Sequence, residues 1–113
     1  MERVAAMADD DWRRRSSQFT EPQLSRNIAL RDALRPIAEV HGVTVSAVAV
    51  AWTIACPGVS GAIVGARSPE QVDGWIAAGS LELDTSDLAL IGGAIRLTGA
   101  GSGPVACQWK RAA

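Results

Sequence analysis

Polar and apolar positions divide the chain into unlike stretches. Up to Asn27 the residues are polar and aperiodic: Asp9, Asp10 and Asp11 precede Trp12, and Arg13, Arg14 and Arg15 follow it, which predicts a loop over residues 1–27. From Ile28 to His41 the apolar positions Leu30, Ala33, Leu34 and Ile37, with His41, recur at helical spacing, while Arg31, Asp32, Arg35 and Glu39 fall elsewhere. An amphipathic helix follows from that pattern. Pro36 lies inside it and lacks a backbone donor, so the helix is expected to start late or bend there, and Gly42 is its stop signal.

Thr44 caps a second expected helix, which runs to about Cys56. Its residues Val45, Ala47, Val48, Ala49, Val50, Ala51, Trp52, Ile54 and Ala55 leave almost no polar face, so it needs cover on most sides. Pro57 and Gly58 end it. Ala62, Ile63 and Val64, bounded by glycines, then read as a short strand buried on both faces. Such a strand requires neighbours, and the chain supplies no other convincing one. Directly after it, Ser68 is placed to cap a helix, Pro69 to open it, and Gln71 to complete a capping box. Unpaired backbone donors at that start, beside Arg67, read either as an anion site or as nothing more than a well-capped helix. Val72, Trp75, Ile76 and Gly79 would continue its inward face. A last helix is expected after Asp84 or Thr85, with Leu88, Ile91 and Ile95 inward and an end frayed by Gly92 and Gly93. Residues 98–113 read as a flexible tail.

Composition narrows the function classes. The chain has 113 residues, 48% of them hydrophobic, which is enough for one core. Its 11 basic and 12 acidic residues nearly cancel, so no overall field selects nucleic acid or an anionic membrane. The arginine triplet is cancelled by its acidic neighbours and reads as a solvated face. No charge occurs from Gly42 to Ala66, yet Pro57, Gly58 and Gly61 break that run into pieces too short to cross a bilayer, so no membrane span is expected. Met1 to Asp11 lacks the apolar core of a secretory signal. Cys56 and Cys107 make no metal or redox spacing and read as reduced thiols, which suits a cytoplasmic protein. His41, the single histidine, closes a helix and reads as structural.

Two stretches carry a resemblance. The run from Val48 to Ala55 (Val-Ala-Val-Ala-Trp-Thr-Ile-Ala), followed by Pro57 to Val72, is similar to the seventh-helix to eighth-helix region of aldo/keto reductases. The segment from Trp12 to Ala38 resembles the lead-in to the seventh helix in bacterial members. The resemblance implies an α/β fold: residues 28–97 would be the last helices and eighth strand of a (β/α)₈ TIM barrel, a C-terminal fragment mostly helical in isolation with one short strand. It also implies a cofactor, NADP(H), whose 2′-phosphate would lie against Gly65, Ala66, Arg67, Ser68 and Gln71. Arg67 would supply the planar cation, Gly65 close backbone approach, and Ser68 a donor to phosphate oxygens. Gln71 would contact the adenosine end.

The sequence departs from the family in two ways. Many relatives place Glu-Asn after this glutamine to hold adenine, where this chain has Gly74 and Trp75; Trp75 reads either as a core residue or as cover for the ring. Family chemistry moves a hydride to a carbonyl while a tyrosine, supported by lysine, aspartate and histidine, protonates the oxygen. Here there is no tyrosine, the only lysine is Lys110 in the tail, and no catalytic residue is assignable. The leading expectation is therefore a partial reductase chain with weak or absent NADPH binding and no turnover. The other is a noncatalytic module whose apolar helices bind the missing barrel portion or a full-length relative. Either way, a chain with one buried-type strand is expected to be marginally stable or self-associated.

Overall fold

The computed structural model of the protein describes residues 1–105. Six α-helices order that stretch: α1 (Glu2–Ala5), α2 (Gln23–Ala33), α3 (Arg35–His41), α4 (Val45–Ala55), α5 (Pro69–Asp73) and α6 (Thr85–Thr98). Short 3₁₀ turns fall at Trp12–Arg15, Ser17–Phe19 and Ile76–Gly79. The amino-terminal stretch read as loop thus contains α1, two of these turns and the start of α2.

Helix α2 opens five residues before the apolar periodicity does. Glu21 reaches forward to its first turn, accepting from the Ser25 backbone N–H at 3.3 Å and the Ser25 hydroxyl at 2.8 Å. Polar Gln23, Ser25 and Asn27 hide this turn from a hydrophobicity reading, although Pro22 just before it is a start signal. The interruption expected at Pro36 falls at Leu34, where α3 begins with Pro36 in its first turn, a position that needs no donor. Ala33, assigned to the inward face, is exposed. Gly42 ends α3 in the left-handed conformation at φ 64°, as a stop glycine should.

Thr44 caps α4 by accepting from the Ala47 N–H at 3.0 Å, and its hydroxyl donates to the Gly74 carbonyl, tying the start of α4 to the end of α5. Helix α3 packs on α4 and α6 on α2, and Leu34, Ile37, Ala38, Val48 and Ile91 are buried together between them, with Val48 fully so. On another side of α4, Ala47 and Ala51 meet Ala78 of the third 3₁₀ turn. Cover stops there. Ala49, Thr53 and Ile54 of α4 are exposed, so this apolar helix is covered on only part of its circumference.

The expected strand is not formed. Among the described residues there is no strand, and Ala62 to Gly65 runs irregularly with Ile63 entirely exposed. A parallel strand is held by a ladder to its neighbours, and among the described residues no second strand supplies one. The surface records the same shortage of cover. The chain exposes 8038 Å², whereas a folded monomer of this mass exposes about 5,900 Å². Its radius of gyration is 15.0 Å, against about 13 Å for a compact domain of this length.

Helix α5 is also shorter than its apolar spacing suggests. It stops at Asp73, the chain turns at Gly74, and the 3₁₀ turn that follows resets the period. Ile76 and Gly79, assigned to an inward face, are therefore exposed, and Ala78 is buried instead. Trp75 is half-buried, and its indole N–H is enclosed without an acceptor.

Helix α6 is the best-capped element. Asp84 accepts from the Asp87 N–H at 2.8 Å, and Asp87 accepts in return from the Asp84 N–H at 3.1 Å. The buried Asp87 carboxylate also meets His41 Nε2 at 2.8 Å, which joins the end of α3 to the start of α6 and gives the single histidine a structural task. Asp87→Ala would leave both partners without their acceptor, and we expect a loss of roughly 1–3 kcal/mol in urea unfolding. An unchanged midpoint would remove this link from the account. The expected fraying is absent: α6 runs to Thr98 and ends on Gly99 at φ 65°. Buried Gly92 receives the Val105 carbonyl so closely that a Cβ would lie 3.3 Å from it, and Ala100 is buried too. Residues 106–113 of the segment read as a flexible tail, with Cys107 and Lys110, lie outside the described residues. No single helix among them is long and apolar enough to cross a membrane. Cys56 is disulfide-bonded rather than the reduced thiol expected, which withdraws the argument from free cysteines to a cytoplasmic setting.

Candidate functional site

The site foreseen around Arg67 begins where the irregular segment meets α5. Ser68 takes an extended conformation, with φ −148° and ψ 157°, and its hydroxyl accepts from the Gln71 N–H at 3.4 Å, while Pro69 occupies the first helical turn. Gln71 completes the cap one residue further out than expected: its Oε1 accepts from the Arg67 N–H at 2.7 Å rather than from Ser68. The Glu70 carboxylate is held below its ordinary range by its own backbone N–H and by the Ser68 hydroxyl. The donors of this start are thus largely engaged by its own side chains. A five-residue helix adds little dipole of its own, so the helix start itself offers little to an anion.

The Arg67 side chain is exposed and uncommitted. The ion pairs of the described residues join Arg13 to Asp11, Arg14 to Asp9, Arg31 and Arg35 to Asp32, and His41 to Asp87, and Arg67 takes part in none of them. Arg67 lines an open cleft of about 620 Å³ with Gly65, Ala66, Gln71, Trp12 and Arg13. Of the residues assigned to the cofactor, Gly65, Ala66, Arg67 and Gln71 therefore share one cleft, whereas Ser68 stands beside it as the helix cap. Gly65 leaves its surroundings open, since a Cβ there would meet nothing within 4 Å.

Trp12 and Arg13 were not foreseen here. Asp11 caps the turn that carries them, accepting from the Arg13 N–H at 3.0 Å, and its carboxylate takes Arg13 Nε at 2.9 Å and a terminal guanidinium nitrogen at 2.5 Å. This fork fixes Arg13 and largely neutralises it. The hydrogen bonds from Arg13, with a smaller contribution from the charge of Arg67, lower the Asp11 pKa to about 2. A depressed carboxylate keeps its full benefit above its unfolded value and loses it as pH falls through the folded one. The clamp on Arg13 is accordingly expected to hold at pH 4 and to open only as pH approaches about 2. Carboxyl NMR shifts of Asp11 would follow this, and titration near pH 4 would contradict it.

With the geometry in place, comparison with known proteins assigns the lineage. The aldo/keto reductase family profile matches residues 2–96, and the chain belongs to that family. The family consists of oxidoreductases built on a (β/α)₈ barrel that generally use NAD(P)H. No curated protein matches the chain. Among the described residues, the lining of the cleft carries no tyrosine, histidine or lysine.

Proposed function

We propose that this chain is a partial aldo/keto reductase that keeps the NADP(H) 2′-phosphate site and lacks the carbonyl-reducing apparatus. The observation that carries this reading is the Arg67 guanidinium, exposed, outside every ion pair of the described residues, and set in a cleft with Gly65, Ala66 and Gln71. A planar fork of donors suits a phosphate monoester, and Gln71, which lines the same cleft, would contact the adenosine side. The nicotinamide chemistry would need a proton donor near the hydride acceptor, and the chain has no tyrosine and one histidine, which is committed to Asp87. Bound NADPH would bring the hydride; this chain would hold the phosphate end of it and nothing at the reacting carbon.

The test is a pair of measurements on the purified chain. Titration with NADPH, read by cofactor fluorescence, is expected to give weak saturable binding, and an assay with aldehydes and ketones is expected to give no oxidation of NADPH. Turnover would overturn the reading of a chain without catalytic residues, and absence of any NADPH binding would remove the site.

A second reading has its own support. The uncovered side of α4, the fully exposed Ile63 and the surplus surface suit a module that completes its core against another barrel segment. Co-elution with a full-length relative in size-exclusion chromatography would favour it, and separate elution would exclude it.

A further inference from the structure

Trp12 is the unexplained residue of the cleft. It is a large aromatic side chain with 66% of its surface exposed, an arrangement that adds nothing to the core. Its position is nevertheless defined. The 3₁₀ turn Trp12–Arg15 is capped by Asp11, and the indole meets Phe19 nearly at right angles, 86° between planes with centroids 6.1 Å apart. An edge-on pair covers at most one face of the indole, so at least one face stays open. Trp12 lines the cleft together with Arg67, while the neighbouring Arg13 is already bound by Asp11. The cleft therefore presents one free cation and one open aromatic plane, elements that suit the phosphate and the base of a nucleotide.

We infer that Trp12 is the base-stacking residue of this cleft and that its ligand is a purine nucleotide whose phosphate lies on Arg67. The inference rests on the reading of the Arg67 cleft as a nucleotide site and adds a residue to it that neither the family match nor the sequence pattern assigned. It also answers what replaces the adenine contacts missing at Gly74 and Trp75. Trp75 is half-buried, its indole N–H is enclosed, and it is not among the residues lining the cleft. A stacking platform is indifferent to base edges, so the cleft would accept adenine without the hydrogen-bonding pair that other members use.

Calorimetric titration of the full chain with adenosine 2′,5′-bisphosphate and with inorganic pyrophosphate tests this. Trp12→Ala is expected to weaken the nucleotide by roughly 5- to 100-fold and to leave pyrophosphate within about twofold, because stacking acts on the base alone. Trp12→Phe keeps a ring and should retain nucleotide affinity to within about threefold. Equal losses for nucleotide and pyrophosphate in Trp12→Ala, or no loss for either, would overturn the stacking role. The second of these outcomes, combined with a loss in Arg67→Ala, would leave the phosphate site standing without it. Failure of the unaltered chain to bind the nucleotide would remove the site and the stacking residue together. Circular dichroism of both variants separates loss of stacking from loss of fold, which the exposure of Trp12 makes unexpected.

Discussion

Replacing Arg67 with alanine is expected to weaken NADPH binding by roughly 10- to 100-fold while leaving NADH binding within about twofold. The two cofactors differ only in the 2′-phosphate, so the ratio isolates the group that Arg67 is argued to hold. A hydrogen bond to a charged group contributes about 1.5–3 kcal/mol, which sets the size of the change. Arg67→Lys should recover only part of it, because an ammonium offers a point charge where the guanidinium offers a planar fork. Since Gln71 accepts from the Arg67 backbone rather than its side chain, the helix cap survives either substitution. Parallel losses for NADPH and NADH would place the effect on the general shape of the cleft and contradict a phosphate contact.

The largest effect on stability is expected from Ile91→Ala. Ile91 is 3% exposed and lies in the cluster with Leu34, Ile37, Ala38 and Val48, where α6 packs on α2 and α3 on α4. Truncation of a buried isoleucine costs about 2–5 kcal/mol through lost transfer energy and the cavity left behind. A complete domain of this length has about 5–15 kcal/mol in reserve, and a core with only part of its cover stands at or below the lower end. Ile91→Ala is therefore expected to abolish any cooperative urea transition. Leu97→Ala on the same helix, at a side chain 89% exposed, should shift it by less than about 0.5 kcal/mol. Similar midpoints for the two variants would mean that the cluster around Val48 does not hold the chain together.

Local signals in the sequence led to elements wherever a cap marked them. Thr44, Ser68 with Pro69, Asp84, Gly42 and the break near Pro36 all act through bonds within a few residues, and each has a counterpart in the structure. The start of α2 escaped because its first turn is polar and is fixed by the Glu21 side chain rather than by burial. The strand at Ala62–Gly65 has the composition of a buried strand, but a strand is a property of a sheet, and composition does not supply the neighbouring ladder. The inward face assigned to Ile76 and Gly79 failed for a related reason: a turn at Gly74 changes the period, so spacing no longer reports direction.

The candidate site was half legible. Arg67 stands beside a capped helix start and drew attention by its chemistry, whereas Gly65 and Gln71 entered the site through the family resemblance. Trp12 and Arg13 lie about fifty residues earlier, in a stretch whose charges cancel, and only folding brings them to the same cleft. The reading of the acidic and basic runs as mutually neutralising does describe Asp11 with Arg13 and Asp9 with Arg14. It could not reveal that this pairing leaves Arg67 as the uncommitted cation of the cleft.

Recognition of a 2′-phosphate is the claim on which the rest depends. Calorimetric titration of the unaltered chain with adenosine 2′,5′-bisphosphate and with AMP, at one fixed ionic strength, measures it without recourse to mutation or catalysis. The account predicts that the bisphosphate binds at least about tenfold more tightly; equal affinities for the two nucleotides would contradict it.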